Sequence, residues 1–143
     1  MNNPSRPYFR KEIDDVFNKV KARLHADAQQ KGGGVALFTD CYTGKTLRGG
    51  EAYDYEHVRS SEELFMKYRD RMTNEQIAEV VNCEGNVKVT LRTINQSKGK
   101  RRFEEWISSS LIAKFEISTS VSQRTLQVAD QSILQKVNQI LRR

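Results

Sequence analysis

Asn86-Val-Lys88-Val-Thr-Leu-Arg92-Thr-Ile-Asn95-Gln-Ser-Lys98-Gly-Lys100-Arg101-Arg102 changes periodicity halfway along. Val87 to Leu91 alternates as a strand with one buried side does, and the turn residues Gly85-Asn86 precede it. From about Thr93 the alternation is lost. Upstream, Tyr53-Asp54-Tyr-Glu56-His57-Val58 has the aromatic and β-branched content of another strand. The centre of the chain therefore reads strand, intervening segment, strand, helix. His57 falls at the end of the first strand, Asn86 in the turn before the second, and Asn95 at the start of the helix. Neighbouring side chains on a strand point to opposite faces, so Glu56 and His57 diverge unless the strand ends there.

The net charge lies in the same stretch. Of 24 basic and 18 acidic residues, six basic ones and no acid fall between Lys88 and Arg102, so the rest of the chain is neutral and the whole excess of +6 is local. Cations gathered in one place suit a polyanionic partner, because neutralising phosphates needs them together.

On either side of this centre the patterns are mostly helical. Phe9, Ile13, Val16, Phe17, Val20 and Leu24 recur at three- and four-residue steps, and Gly32-Gly33-Gly34 ends the run as a hinge. Val35 to Thr39 reads as a short buried strand, and Thr39 to Leu47 as strand, turn and strand with Gly44 at the bend. Ser60 with Glu63, and Thr73 with Gln76, are capping-box pairs that open two short helices. Phe103, Trp106, Ile107 and Ser110 to Ile112 suit a helix whose far side carries the basic cluster. Ala113 to Val121 reads as extended, and Leu126 to Leu141 as a final amphipathic helix. Trp106 and Phe103 are expected in the core, and His25 on the solvent face of the first helix.

With 143 residues, 37% hydrophobic and 29% charged, the chain suits one domain able to bury a core without metal or disulfide staples. It is too balanced in charge for a disordered chain, no run approaches the ~18–20 apolar residues of a transmembrane helix, and no leader opens it. Cys41 and Cys83 form neither a Cys-x-x-Cys pair nor a disulfide framework, and are expected as buried free thiols. A cytoplasmic protein away from membranes is the expectation.

Taken together, the ordered Glu56-His57, Asn86, Asn95 and Lys98 string resembles the HNH nuclease family. The likeness is greatest to the HNH domain of CRISPR-associated RNA-guided nucleases. In that domain an Asp-x-Asp-His strand is followed by an Asn-opened strand and a helix bearing Asn-x-x-Lys. The nine-residue step from Asn86 to Asn95, Thr90-Leu-Arg92 between them, the trailing Lys98-Gly-Lys100 and the Tyr42-Thr-Gly-Lys45 turn all agree. The likeness runs from about Asp40 to Arg102. It departs from the family where Glu56 replaces an Asp, where Arg59-Ser60 replaces an apolar–proline step, and in the longer segment between His57 and Asn86.

The resemblance implies an α+β fold with a ββα-metal core over residues 35–112 and a helical insertion over 60–82. Residues 1–34 and 113–143 would flank it as an N-terminal helix and a C-terminal extension within a single domain, 1–143. It further implies a phosphodiester hydrolase acting on DNA. His57 would be the general base, suited to neutral pH by an ordinary pKa near ~6.5. Asn86 would pin the loop and orient His57. Glu56 and Asn95 would hold one Mg²⁺ or Mn²⁺, with Asp54 as an outer or additional ligand. Arg92, Lys98, Lys100, Arg101 and Arg102 would grip phosphates. No structural zinc is expected. A homodimer or a larger nuclease or phage complex could form through the terminal helices, and a bacterial or phage origin fits by analogy.

Two other functions compete. Thr73 to Val81 resembles the first helix of a helix-turn-helix, which would make the chain a DNA-binding regulator, although Gly85-Asn86 leads into a strand where a recognition helix should start. An interaction protein on a non-cutting HNH scaffold is the third reading; the joint presence of Glu56, His57 and Asn95 speaks against it.

Overall fold

The computed structural model describes residues 3–143. Helix α1 (Lys11–Lys31) buries Ile13, Val20 and Ala28 along one stripe and stops at Gly32, whose N–H bonds the Ala28 carbonyl. Phe9, expected on that stripe, precedes the helix and is exposed. Strands β1 (Leu37–Thr39) and β2 (Thr46–Arg48) form an antiparallel hairpin, with Gly44 in its turn.

Strands β3 (Tyr53–His57) and β4 (Val87–Leu91) pair antiparallel, from Tyr53 opposite Leu91 to His57 opposite Val87. Buried Asp40 fastens the β1–β2 turn to β4. Its carboxylate accepts from the N–H groups of Tyr42, Thr43 and Leu91 and from the Thr90 hydroxyl. Four donors satisfy the charge without a cation, which is what a buried carboxylate requires.

Between β3 and β4 lie α2 (Ser61–Tyr68) and α3 (Asn74–Val81). Ser60 caps the first through the Glu63 N–H, and Thr73 with Gln76 forms a complete capping box on the second. A 3-10 turn, Glu84–Asn86, returns the chain to β4. Here α6 (Thr119–Leu141) presses close. A Cβ on Gly85 would lie 2.5 Å from the Ser132 Cβ and 2.7 Å from the Val128 carbonyl oxygen, so only glycine fits.

Helix α4 (Arg92–Lys98) follows β4 directly and ends at Gly99, whose φ of +51° few other residues adopt. The expected helix with a basic far side is thus not continuous. Lys100 to Arg102 lie in the connection between α4 and α5 (Phe103–Ile107), and residues Ser110–Lys114 form another 3-10 turn. Only Phe115 to Ser118 remain to link it to α6, so the extended segment expected over 113–121 shrinks, and α6 begins earlier than its apolar stripe suggests.

Two hydrophobic clusters result. The larger joins Ile13 of α1, Leu64, Phe65 and Tyr68 of α2, Ile77, Val80 and Val81 of α3, and Ile133, Val137 and Ile140 of α6. The helical insertion and the C-terminal helix therefore build the main core instead of decorating a smaller one. The second cluster packs Tyr42, Ile94, Phe103 and Trp106 beneath the β3–β4–α4 unit. Among the described residues the fold is α+β, with six helices and two small antiparallel sheets, and no helix is long and apolar enough to cross a membrane.

Candidate active site at the end of the β3–β4 ribbon

The last two residues of β3 lie between the two clusters and look into different ones. Glu56, only 6% exposed, turns toward the second cluster, where the Tyr42 hydroxyl donates to Oε1. His57 turns toward α1 and α3, its ring 4.2 Å from that of Phe17 and its Nε2 2.8 Å from the Asn82 Oδ1. This is the alternation expected of a strand. The strand ends at His57, however, so both residues still reach one cavity of about 420 Å³. Asn95, Lys98 and Lys100 line it from the α4 side, and Tyr8 and Arg10 from the N-terminal segment.

Burial sets the protonation of this pair. Loss of water raises the Glu56 carboxyl above its ordinary pKa, while the Lys98 ammonium and the Tyr42 hydroxyl pull it part of the way back. The Tyr42 hydroxyl is itself pushed well up, first by burial and then by Glu56. Burial, assisted by Arg10 and Lys98, lowers His57 to about 4, against the upward pull of its bond to Asn82. At neutral pH its imidazole is uncharged, but burial makes it a weaker base than the ordinary value near 6.5, expected from the sequence, would imply.

Lys98, expected among the phosphate-gripping cations, is placed differently. It is 2% exposed, with Nζ 3.3 Å from the His57 carbonyl oxygen and 3.8 Å from the Glu56 Oε2. Helical spacing puts it one turn beyond Asn95, on the side of α4 that faces β3, so it serves as counter-charge to Glu56 inside the site.

Asn95 donates from Nδ2 to the Asp54 Oδ2 at 3.0 Å, and no hydrogen bond to its Oδ1 occurs among the described residues. Asp54 also accepts from the Arg92 Nε at 2.9 Å. Its carboxylate is outside the set lining the cavity, so Asp54 holds Asn95 in place, and Arg92 is an exposed cation paired to it. Asn86 is fully buried. Its oxygen accepts from the Arg59 N–H, and its nitrogen donates to the Arg59 and Val81 carbonyls. It thereby pins the loop after His57 without touching the imidazole.

Arg59 locks that loop from outside, with paired bonds to Glu104 at 2.7 and 2.8 Å and to Asp130 at 2.9 and 3.0 Å. This is what stands in place of the apolar–proline step. Lys100 is exposed and lines the cavity, whereas Arg101 is exposed outside the lining residues and donates to the Ser97 carbonyl oxygen. Arg102 turns away toward Glu63, in a groove bounded by α2 and α6.

The helix-turn-helix arrangement itself does not form after α3. Ile77, Ala78, Val80 and Val81 of α3 are buried, and a 3-10 turn and a strand follow where a recognition helix would begin. His25 is exposed, Phe103 and Trp106 are core residues, and both cysteines are buried free thiols. Sequence reasoning missed Asn82, Tyr42, Phe17, Tyr8 and Arg10. Tyr42 lay inside the Tyr-Thr-Gly-Lys turn. The others carried no motif signal, since contacts such as Asn82 with Ile13, 69 positions apart, have no local period.

Compared with models of known families, with characterised proteins and with solved structures, the chain finds no match.

Proposed function

We propose that this chain is a metal-dependent DNA endonuclease or nickase of the HNH type. The observation that carries the reading is that Glu56, His57, Asn95, Lys98 and Lys100, which all belong to one motif string, border a single cavity, with Asn86 of the same string buried behind it. An antiparallel strand pair running directly into a helix supports it, as does a net positive charge confined to this part of the chain.

Glu56 and Asn95 border the cavity and would be the protein's oxygen donors to a divalent cation; among the described residues no three His, Cys, Asp or Glu side chains form a metal-holding group. Mg²⁺ and Mn²⁺ suit so few oxygen ligands, since such ions keep several waters and take further oxygens from a phosphate substrate. When bound, the cation would offset negative charge on the phosphate and on the departing oxygen. Asp54 holds the Asn95 amide so that its oxygen is the free end.

The protein's own groups do the rest. His57, neutral at pH 7, takes a proton from water as the resulting hydroxide attacks phosphorus. The P–O3′ bond breaks, leaving a 5′ phosphate and, once the departing oxygen gains a proton from solvent, a 3′ hydroxyl. Lys98 stabilises the buried carboxylate, and Lys100 and Arg101 contact neighbouring phosphates. Such contacts hold the backbone and read little sequence.

The test is plasmid nicking by the purified chain with Mg²⁺ or Mn²⁺, with His57→Ala as control. Nicking by the wild type that a chelator and His57→Ala each abolish, with the circular dichroism of the variant unchanged, is the expected result. Equal nicking by the variant overturns the reading. Metal-independent, salt-sensitive DNA binding without nicking would favour the DNA-binding regulator.

A further inference from the structure

Asn82 ends α3 and is 5% exposed. Its amide nitrogen donates to two carbonyl oxygens, that of Ile13 in α1 at 3.0 Å and that of Ala78 in α3 at 2.9 Å. Both amide hydrogens are therefore spent on groups that can only accept. Rotating the amide by half a turn would set its oxygen against those two carbonyls with no hydrogen between them, so the orientation is determined by the network. The oxygen then faces the His57 Nε2 at 2.8 Å, and an amide oxygen only accepts. The hydrogen in that contact must belong to the imidazole. A neutral imidazole carries one hydrogen, which leaves the lone pair on Nδ1.

We propose that Asn82 is the positioning residue of the site: it holds His57 as the Nε2–H tautomer, so that Nδ1 is the nitrogen that takes the proton from water. The tautomer follows from the hydrogen-bond network alone, whereas the proton-accepting role rests on the nuclease reading. Phe17, with its ring 4.2 Å from the imidazole and tilted by 40°, restricts rotation of the ring. Lys98 donates to the His57 carbonyl oxygen and so fixes the backbone from the other side. Helix α1 thus takes part in the site through the Ile13 carbonyl and Phe17, although it lies outside the motif string. The device is economical: one side chain ties α1, α3 and the end of β3 to a single ring.

The experiment uses the full chain labelled with ¹⁵N at histidine, kept neutral and in chelator, and long-range ¹H–¹⁵N spectra of the imidazoles. The two histidines make assignment simple, and exposed His25 serves as the internal reference for a ring averaging between tautomers. His57 is expected to show one tautomer, protonated at Nε2. Asn82→Ala should shift the His57 nitrogens toward the averaged values of His25. It should also lower kcat for plasmid nicking by about tenfold or more while KM for DNA stays within about twofold. A wild-type His57 that is protonated at Nδ1 or averaged overturns the proposal, and this measurement needs no variant to fold. A folded Asn82→Ala with shifted ring nitrogens and unchanged kcat overturns the positioning role. A single Nε2–H tautomer in a wild-type chain that never nicks DNA instead overturns the nuclease reading, leaving the tautomer assignment standing.

Discussion

Lys98→Met removes the only cation within salt-bridge distance of the Glu56 carboxylate among the described residues while keeping the length and packing of the side chain. The ammonium lies 3.8 Å from Oε2, and both side chains are almost wholly buried, at 3% and 5% exposure. At that distance, with an effective dielectric of about 20, the attraction is about 4 kcal/mol. Removing one partner of a buried pair costs about 3–5 kcal/mol, because the other charge stays behind without water. The Tyr42 hydroxyl remains bonded to Glu56, so the lower figure, about 3 kcal/mol, is the expected loss at neutral pH. The sign with pH follows from Glu56. Burial already raises its folded pKa, and losing Lys98 raises it further. The folded state then binds more protons than the unfolded state as pH falls toward the carboxylate range, so the deficit of the variant shrinks on acidification.

Urea denaturation in chelator, at about pH 7.5 and about pH 5, measures this directly. The double variant Lys98→Met with Glu56→Gln should regain much of the loss at the higher pH, since no unpaired charge remains. A deficit below about 1 kcal/mol, one of equal size at the two pH values, or simple additivity in the double variant would refute the argument that Lys98 is the counter-charge of the site.

Other expectations follow from the same structure. With a folded pKa of about 4 against an ordinary 6.5, His57 favours folding above the higher value, and that contribution is lost as pH falls through the interval, by at most about 3 kcal/mol. His57→Gln should flatten the acid limb of the stability profile, and parallel urea midpoints for the two proteins would contradict this. Gly85→Ala places a methyl carbon 2.5 Å from the Ser132 Cβ and 2.7 Å from a backbone oxygen of α6, and should cost about 1–3 kcal/mol or more, seen as a drop of several degrees in Tm. An unchanged Tm would mean that α6 does not press on this turn.

Much of the central unit was legible because its signals are local. Alternation marks β3 and β4, capping pairs mark the starts of α2 and α3, and the nine-residue step from Asn86 to Asn95 orders the site residues along the chain. The single helix expected around the basic cluster failed at Gly99, where a positive φ breaks the helix before the apolar residues of α5 resume. Charge alone could not separate Lys98 from Lys100, although one is buried against Glu56 and the other is exposed.

Residue order along the chain, then, settled the class of fold, the place of the strand-to-helix junction and the gathering of cations beside it, because periodicity, turn chemistry and charge are properties of neighbours in sequence. Packing between distant elements settled which groups meet: Tyr42 and Lys98 on Glu56, Asn82 and Phe17 on His57, Arg59 on Glu104 and Asp130. Those contacts join segments up to 71 positions apart, and no period along the chain encodes them. They exist because α1, α2, α3 and α6 bury their apolar faces together on one side of the ribbon end while Tyr42, Ile94, Phe103 and Trp106 pack on the other.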